Sequence, residues 1–212
     1  PPRVLGRDES GAHHCVAPLA RFSSPYHVRA RFTKRDPPAS MLLTPELIPE
    51  LRNIVHVACG MNSSFAVDAE GRVFAWGRNP RAQPGTRLQK DTVPRPTREK
   101  ALDPARLDGA RVVQVDGGEF HTAFLLSNGH VWMCGDSDEG KLGLPHEVLA
   151  SQGEEGPVLM RTPVHVPIQS DSPEPASIVG IAAGMRFTFA LAASGVLYSW
   201  GTTSDEAMGQ PA

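Results

Sequence analysis

Three segments of the chain repeat one pattern of apolar residues and glycines, and no other feature restricts the fold as much. The segments begin at Ile54, Val112 and Ile178 and align without a gap, at offsets of 58 and 66 residues. They read IVHVACGMNSSFAVDAEGRVFAWG, VVQVDGGEFHTAFLLSNGHVWMCG and IVGIAAGMRFTFALAASGVLYSWG. A repeat of this length predicts a row of similar structural units that pack against their neighbours.

Each copy contains three short apolar runs that end at glycines. The first run is rich in β-branched residues, which favour strands, and Asn128-Gly129 after the second run of the middle copy is a strong hairpin signal. The glycines that end or follow the three runs are Gly60, Gly118 and Gly184, then Gly71, Gly129 and Gly195, then Gly77, Gly135 and Gly201. This spacing predicts three antiparallel strands in each copy.

A segment marked by proline precedes each copy, at residues 44–48, 93–97 and 162–166. Proline is tolerated at strand starts and on edge strands, so we expect these segments to form the outer, fourth strand of the copy that follows. The apolar runs are nearly continuous and do not alternate strictly, which is typical of sheets covered on both faces. The sequence therefore predicts an all-β fold of four-stranded antiparallel blades, a β-propeller.

The copies resemble the regulator of chromosome condensation repeat family, whose blades carry His-Thr, Trp-Gly and Gly-Gln-Leu-Gly motifs. The middle copy matches best, with His121-Thr122 and Gly-Lys-Leu-Gly at 140–143. The outer copies keep Trp-Gly at 76–77 and 200–201 but replace the histidine with Ser63 and Phe187. The resemblance implies a seven-bladed ring, of which this chain holds about three blades. Other chain segments or subunits are therefore expected to cover the ends of the stack.

The chain is predicted to divide into two parts. Residues 44–212 form the partial propeller, with repeats at about 44–85, 93–143 and 162–209. Residues 1–43 carry more basic than acidic side chains and little periodicity. Three interpretations of this segment stay open: a basic arm, a strand that closes the last blade, or the remnant of an organelle-targeting segment.

Composition and motifs exclude several functional classes. A formal net charge of −2 argues against nucleic-acid binding by the whole chain. Three widely spaced cysteines suggest neither a disulfide framework nor a metal clip, which favours an intracellular, reducing location. No apolar run approaches the roughly 20 residues that span a bilayer. Because no motif for nucleotide, metal or nucleophilic catalysis is present, we predict no enzyme, no cofactor and no metal site.

Some conspicuous residues have a structural explanation. The resemblance implies that His121 is a buried histidine that forms hydrogen bonds within its blade. Cys59 and Cys134 lie in core columns, with Cys134 where the other copies have tryptophan, so we expect both to pack in the core. His13-His14-Cys15 lacks the spacing of a zinc site and is expected to lie in a loop.

Two charged stretches are the candidates for partner contacts. The segment at 78–100 is strongly basic and contains several prolines, and the acidic loop follows the third run of the middle copy. The candidate residues are Arg78, Arg81, Arg87, Lys90, Arg95, Arg98, Asp136, Asp138 and Glu139. Two interpretations of each stretch stay open: a solvated loop, or a contact in which the basic segment meets phosphate or an acidic partner and the acidic loop meets a basic partner.

The repeat predicts a structural scaffold, and the sequence contains no catalytic motif. Together these features favour a non-enzymatic interaction platform or adaptor that binds a protein partner. The resemblance implies an alternative, guanine-nucleotide exchange on a Ran-like small GTPase. It also suggests weak chromatin or nucleic-acid contact through the basic loops. A mitochondrial ribonucleoprotein adaptor fits the N-terminal segment, so nuclear, cytoplasmic and mitochondrial locations all stay open.

Overall fold

The computed structural model describes residues 45–79, 81–82, 91–150, 158–169, 176–202 and 209. These residues form short strands with one brief α-helix, α1 (His146–Ala150), and two 3₁₀ turns, Pro104–Arg106 and Asp138–Gly140. The strands are β1 (Ile54–Cys59), β2 (Ser63–Asp68), β3 (Val73–Arg78), β4 (Thr92–Glu99), β5 (Val112–Gly117), β6 (His121–Leu126), β7 (Val131–Asp136), β8 (Leu159–Val166), β9 (Ile178–Ala183), β10 (Phe187–Ala192) and β11 (Leu197–Gly201). The predicted all-β class is confirmed.

The strands form three antiparallel sheets whose order follows the chain. The first sheet is β1-β2-β3-β4, the second is β5-β6-β7-β8, and the third contains β9-β10-β11 among the described residues. The three predicted strands of each copy are therefore the first three strands of each blade. In the middle blade Gly129 closes the β6–β7 hairpin with φ +81°, a conformation that glycine adopts without strain.

The fourth strand belongs to the preceding blade, so its predicted assignment is wrong. β4 pairs antiparallel with β3, and β8 pairs with β7. The lengths of the connections do not indicate whether β4 belongs to the first or the second blade, because 13 residues separate β3 from β4 and 12 separate β4 from β5. Pro94 and Pro96 lie in β4, at the edge of its sheet, as their missing N–H groups favour. Residues 45–48 form no strand, and residues 1–43 lie outside the described residues.

Apolar side chains fill the spaces between adjacent blades. Alternate residues of β6 point to opposite neighbours: Phe124 and Leu126 pack against the first blade, whereas Ala123 and Leu125 pack against the third. Every residue of β6 is buried, because the middle blade is covered on both faces. The near-continuous apolar runs in the sequence reflect this two-sided burial.

The blades converge at their first strands, where β5 lies beside both β1 and β9. Each of these strands has a bulge near its start, at which one residue has no partner in the ladder. The extra residues are Val55, Val113 and Val179, and all three side chains are exposed. Bulges bend a strand and redirect a side chain, which explains why these valines leave the core.

Candidate interaction surface

The turns between the first and second strands of the three blades lie side by side. The amide of Met61 donates a hydrogen bond to the carbonyl of Gly118 (3.1 Å), and the amide of Glu119 donates one to the carbonyl of Met185 (3.0 Å). We call these turns and the loops after β3, β7 and β11 the turn face: residues 60–62, 79, 81–82, 118–120, 137–143, 184–186 and 202. Backbone hydrogen bonds between blades give this face a fixed shape.

The loops reach the turn face because the third strand of each blade ends against the turn of the same blade. The backbone amides of Arg78, Asp136 and Thr202 donate to the carbonyls of Asn62, Phe120 and Arg186, at 2.8, 2.9 and 3.1 Å. The glycine before each donor permits this approach. In the middle blade, a Cβ on Gly135 would overlap the Phe120 carbonyl.

Arg81 and Asp136, two of the predicted contact residues, lie together across the junction of the first and second blades. The Arg81 Nη1 atom is 3.3 Å from Asp136 Oδ2, and the guanidinium lies over the Phe120 ring, 5.7 Å from its centroid. Asp136 is buried and also accepts a hydrogen bond from the amide of Asp138 (3.0 Å). The carboxylate of Asp136 therefore shapes the loop, while Arg81 stays half-exposed on the turn face.

Glu139 takes part in a second cross-blade ion cluster. Arg186 of the third blade approaches Glu139 Oε1 through Nη1 (3.1 Å) and Glu119 Oε2 through Nε (3.7 Å). Lys141 Nζ lies 3.9 Å from Glu139 Oε2. The exposed Asp138 accepts a hydrogen bond from the Glu139 amide (2.9 Å). The acidic loop predicted from the sequence therefore has its charge partly balanced by basic residues of its own chain.

The basic segment at 78–100 does not form one patch among the described residues. Arg78 is exposed at the end of β3, beside the turn face. Arg98 pairs with Phe74, which lies four residues before Arg78 in β3. At about 3.3 Å per residue, Phe74 is roughly 13 Å from Arg78 along the strand. The Arg98 guanidinium is held by Asp103, with Nε and Nη2 at 3.0 and 2.9 Å from Oδ1.

Arg95 lies in β4, away from the turn face, and its side chain is largely exposed. The Arg95 Nη1 atom lies 3.8 Å from Glu50 Oε1. Arg87 and Lys90 lie outside the described residues. Contact of these basic residues with a partner stays a prediction.

The turn face also presents apolar residues that the sequence reasoning did not select. Met61 is 61% exposed and Met185 is 45% exposed, and they occupy the same column of the repeat. Glu119 occupies this column in the middle blade. The column directly follows the shared glycines Gly60, Gly118 and Gly184. This position after a turn glycine was the sequence signal that could have identified the exposed methionines. Exposed methionine beside arginine is typical of protein interfaces.

Comparison with known proteins identifies the repeat. One family model of the regulator of chromosome condensation (RCC1) repeat matches residues 54–83 and 112–141. A second model of the same repeat matches residues 70–125 and 128–191. The chain belongs to the RCC1 repeat family.

The curated proteins that are similar to this chain differ in kind and in length. The chain is 32% identical over 176 residues to Protein pim1 of Schizosaccharomyces pombe, covering 79% of this chain and 30% of pim1. It is 31% identical over 161 residues to the human E3 ubiquitin-protein ligase HERC2, covering 74% and 3%. It is 27% identical over 164 residues to the guanine nucleotide exchange factor SRM1 of Saccharomyces cerevisiae, covering 75% and 32%. The chain spans a third or less of these relatives.

A solved structure supports the same fold. Prp20p of Saccharomyces cerevisiae, described with its binding properties to Gsp1p and histones, superposes with a TM-score of 0.61 at 26% identity. The match covers 76% of this chain and 36% of Prp20p. The predicted RCC1-type β-propeller blades are confirmed.

His121 of the RCC1 motif is a fully buried residue at the junction of the second and third blades. Its Nε2 atom is 3.0 Å from Thr188 Oγ1, so this hydrogen bond joins two blades and is not confined to one as expected. Burial, followed by the positive charge of Lys141, lowers the pKa of His121 to about 4, while a hydrogen bond with the Phe187 backbone opposes this. His121 is therefore neutral at physiological pH and has a structural role.

The two described cysteines have opposite environments. Cys134 is buried as predicted, and burial followed by the charge of Glu99 raises the pKa of its thiol well above the ordinary value. Cys59 is exposed, so its predicted place in the core is wrong. The side chain of Cys59 alternates outward with Val55 and Val57 in β1, and among the described residues no blade covers that side.

An open groove lies at the opposite end of the middle blade from the turn face. It has a volume of about 470 Å³ and lies between residues 106–110 and the β6–β7 hairpin, with Trp132 as its largest side chain. The rings of His130 and His165 are 4.8 Å apart nearby. Burial, followed by the charge of His130, lowers the pKa of His165. His130 lines the groove together with Asp108, Ser127 and Asn128, and the Asn128 Nδ2 atom lies 3.5 Å from His130 Nδ1.

Neither a cluster of metal-ligating side chains nor a membrane-spanning helix is present in the part of the chain that the structure describes. No group of three or more His, Cys, Asp and Glu side chains there is placed to hold a metal ion. No helix in that part has the length and apolar character to cross a membrane. His13-His14-Cys15 lies outside the described residues.

Proposed function

We propose that this chain is a non-enzymatic interaction platform whose RCC1 blades hold the turn face rigid for a protein partner. The observation that carries the proposal is the combination of a backbone fixed by hydrogen bonds between blades with half-exposed side chains. A surface that is ordered before binding loses little conformational entropy when a partner docks. The family's occurrence in proteins as different as HERC2 and SRM1 supports a scaffold role for these blades.

The side chains of the turn face suggest the chemistry of the partner. Met61 and Met185 provide adaptable apolar contacts, and Arg81 and Arg186 provide directional hydrogen bonds near aromatic and acidic groups. Exposed Asp138 adds a negative charge. We infer a protein segment that combines an apolar side chain with charges of both signs.

The proposal is tested by capture of partners on the full chain. A variant with Met61→Glu and Met185→Glu is expected to lose at least about tenfold in partner recovery, because charge replaces the apolar side chains that these two residues expose. Val196→Glu is the matched control, since it changes an exposed apolar residue in the β10–β11 hairpin, outside the turn face. Equal recovery by both variants would contradict the proposal.

A second candidate function is guanine-nucleotide exchange on a Ran-like GTPase. The similarity to the exchange factor SRM1 and to Prp20p, which was examined with Gsp1p, favours this candidate. The test measures release of a fluorescent guanine nucleotide from a Ran-type GTPase with and without the chain. Acceleration that Met61→Glu and Met185→Glu abolish would support exchange through the turn face, whereas no acceleration would reject exchange by this chain.

Separate experiments address compartment and chromatin contact. We propose an intracellular location, and imaging of the tagged protein distinguishes nuclear, cytoplasmic and mitochondrial residence. Binding to histones or nucleosomes through Arg78 and Arg95 is expected to weaken with salt. Binding that survives replacement of both arginines by glutamine would reject these residues as the contact.

A further inference from the structure

One peptide group of the middle blade bridges the turns of both neighbouring blades on the turn face. The carbonyl of Gly118 accepts a hydrogen bond from the amide of Met61 (3.1 Å), and the amide of Glu119 donates one to the carbonyl of Met185 (3.0 Å). The C=O and N–H of a trans peptide group point in opposite directions, so these two bonds continue each other. The three turns therefore form a ladder like that of three neighbouring strands in a sheet.

This ladder sets the distance between the two exposed methionines. Backbones joined by such hydrogen bonds lie about 4.8 Å apart, so two intervals place the backbones of Met61 and Met185 about 10 Å apart. Met61 is 61% exposed and Met185 is 45% exposed, whereas the side chain of Glu119 between them is 16% exposed. The turn face thus presents two prominent apolar side chains with a less exposed residue between them.

A separation of about 10 Å matches one kind of secondary structure in a partner. An α-helix rises about 1.5 Å per residue, so residues seven positions apart lie on one face and about 10.5 Å apart. Residues on one face of a β-strand are about 6.7 or about 13 Å apart, because successive side chains alternate between faces. A helix therefore places one apolar residue on each methionine, whereas a strand along the same row matches only one of them.

Arg186 supplies a directional contact at one end of this row. It follows Met185 in the chain, and its side chain is half-exposed. Within the described part of the chain its guanidinium approaches Glu139 through Nη1 and Glu119 through Nε. A guanidinium has five N–H donors, and Nη2 takes no part in these two contacts. A partner carboxylate can therefore bind Nη2 without breaking either ion pair.

The helix must come from a different protein. The α-helix among the described residues of this chain, α1, has five residues, which is less than two turns. A second copy of these residues therefore offers no helix that reaches from Met61 to Met185.

We propose that the turn face binds an amphipathic α-helix of another protein, with two apolar residues seven positions apart and a carboxylate beside one of them. The helix lies across the three blades, with one apolar side chain on Met61, the other on Met185, and the carboxylate on Arg186. The inference rests on the proposed platform function, because it names the kind of partner that the turn face accepts. It excludes an extended partner segment along the same row.

The probe is a synthetic helical peptide with two leucines seven residues apart, each flanked on both sides by glutamate. A covalent staple on the opposite face of the peptide holds the helix, and circular dichroism confirms it. Because both leucines have the same flanking residues, the probe presents a carboxylate to Arg186 in either binding direction. Binding to the full chain is measured by fluorescence polarisation.

Three control peptides separate spacing, helicity and charge. The first has its leucines five residues apart, which places them about 140° apart around the helix. The second is unstapled and carries two internal prolines, which prevent helix formation. The third replaces every glutamate by glutamine. The probe is expected to bind at least about tenfold more tightly than the first two controls, because each loses an apolar contact. It is expected to bind about two- to fivefold more tightly than the third.

Variants of the protein assign the contacts. Met61→Glu combined with Met185→Glu is expected to lower the affinity for the probe at least about tenfold. Val196→Glu changes an exposed apolar residue outside the turn face and is expected to leave this affinity unchanged. Arg186→Gln is expected to remove the difference between the glutamate and glutamine peptides. Circular dichroism confirms that each variant is folded before comparison.

Equal binding of the probe and the five-residue control would overturn the proposed spacing, and equal binding of the proline control would show that the partner is extended. Binding that survives both methionine substitutions, or no binding at millimolar probe, would overturn the proposal as well. A preference for glutamate that persists in Arg186→Gln would refute the carboxylate contact.

These outcomes are distinct from failure of the proposed function. Partner recovery that depends on Met61 and Met185, without binding of the probe, would keep the platform and reject the helix. Partner recovery that is insensitive to both substitutions would reject the platform itself.

Discussion

Buried His121 is expected to make the free energy of unfolding depend on pH in a range where most carboxylates keep their charge. The unfolded chain binds a proton at this histidine near pH 6.5, whereas the folded chain binds it only near pH 4. Protons therefore favour the unfolded state between these values, and stability falls as the pH is lowered through this range. Above pH 6.5 both states are neutral at His121, and the penalty disappears.

The size of the effect follows from the two pKa values. They differ by about 2.5, and each unit corresponds to about 1.4 kcal/mol, so the full penalty below pH 4 is about 3 kcal/mol. At pH 5 it has reached about 2 kcal/mol. Such a loss is a large fraction of the stability of an ordinary domain, about 5–15 kcal/mol.

Urea unfolding followed by tryptophan fluorescence measures this dependence between pH 7.5 and 5. A His121→Gln variant keeps an amide donor near Thr188 but does not titrate, so its stability is expected to change less over the same range. Parallel pH profiles for the two proteins would refute the reasoning. NMR titration of the wild-type histidine provides an independent check, and a midpoint above pH 6 would contradict it as well.

Two further predictions concern packing and thiol exposure. Gly118→Ala is expected to lower the free energy of unfolding by about 2 kcal/mol or more, because its Cβ would overlap the His121 ring. Gly180→Ala should change this free energy by less than about 1 kcal/mol, because the nearest atom to its Cβ is 3.8 Å away. Similar urea midpoints for the two variants would contradict this. In a Cys15→Ser background, Cys59 is expected to react rapidly with Ellman's reagent and Cys134 only after unfolding. Two equally fast thiols would refute the assigned burial.

The strands within each blade could be predicted because their signals are local. Apolar runs, glycine turns and the Asn128-Gly129 hairpin depend on residues close in sequence, and the structure forms β6 and β7 around that hairpin. The fourth strand was assigned to the wrong blade because a periodic sequence does not mark where a unit starts. Only the pairing of β4 with β3 establishes that boundary.

The candidate surface was only partly predictable because its contacts join different blades. Arg81 and Asp136 were both selected for their charge, but their ion pair depends on the angle between two blades and not on sequence spacing. Met61 and Met185 were missed because an isolated methionine carries no chemical motif. Their common column after a shared glycine becomes informative only when the three turns are seen to adjoin.

Equivalent columns of a repeat do not have equivalent environments, and this explains both the error at Cys59 and the open edge of β1. Val57 and Val115 share a column and a side chain, yet only Val115 has a blade against it. Burial is therefore set by the position of a blade in the stack, whereas the hydrogen-bonding pattern is set by its sequence. Gln114 depends on both the sequence and the stacking: its amide supplies a donor and an acceptor, and its two hydrogen bonds to Ile181 form because the third blade lies beside the second.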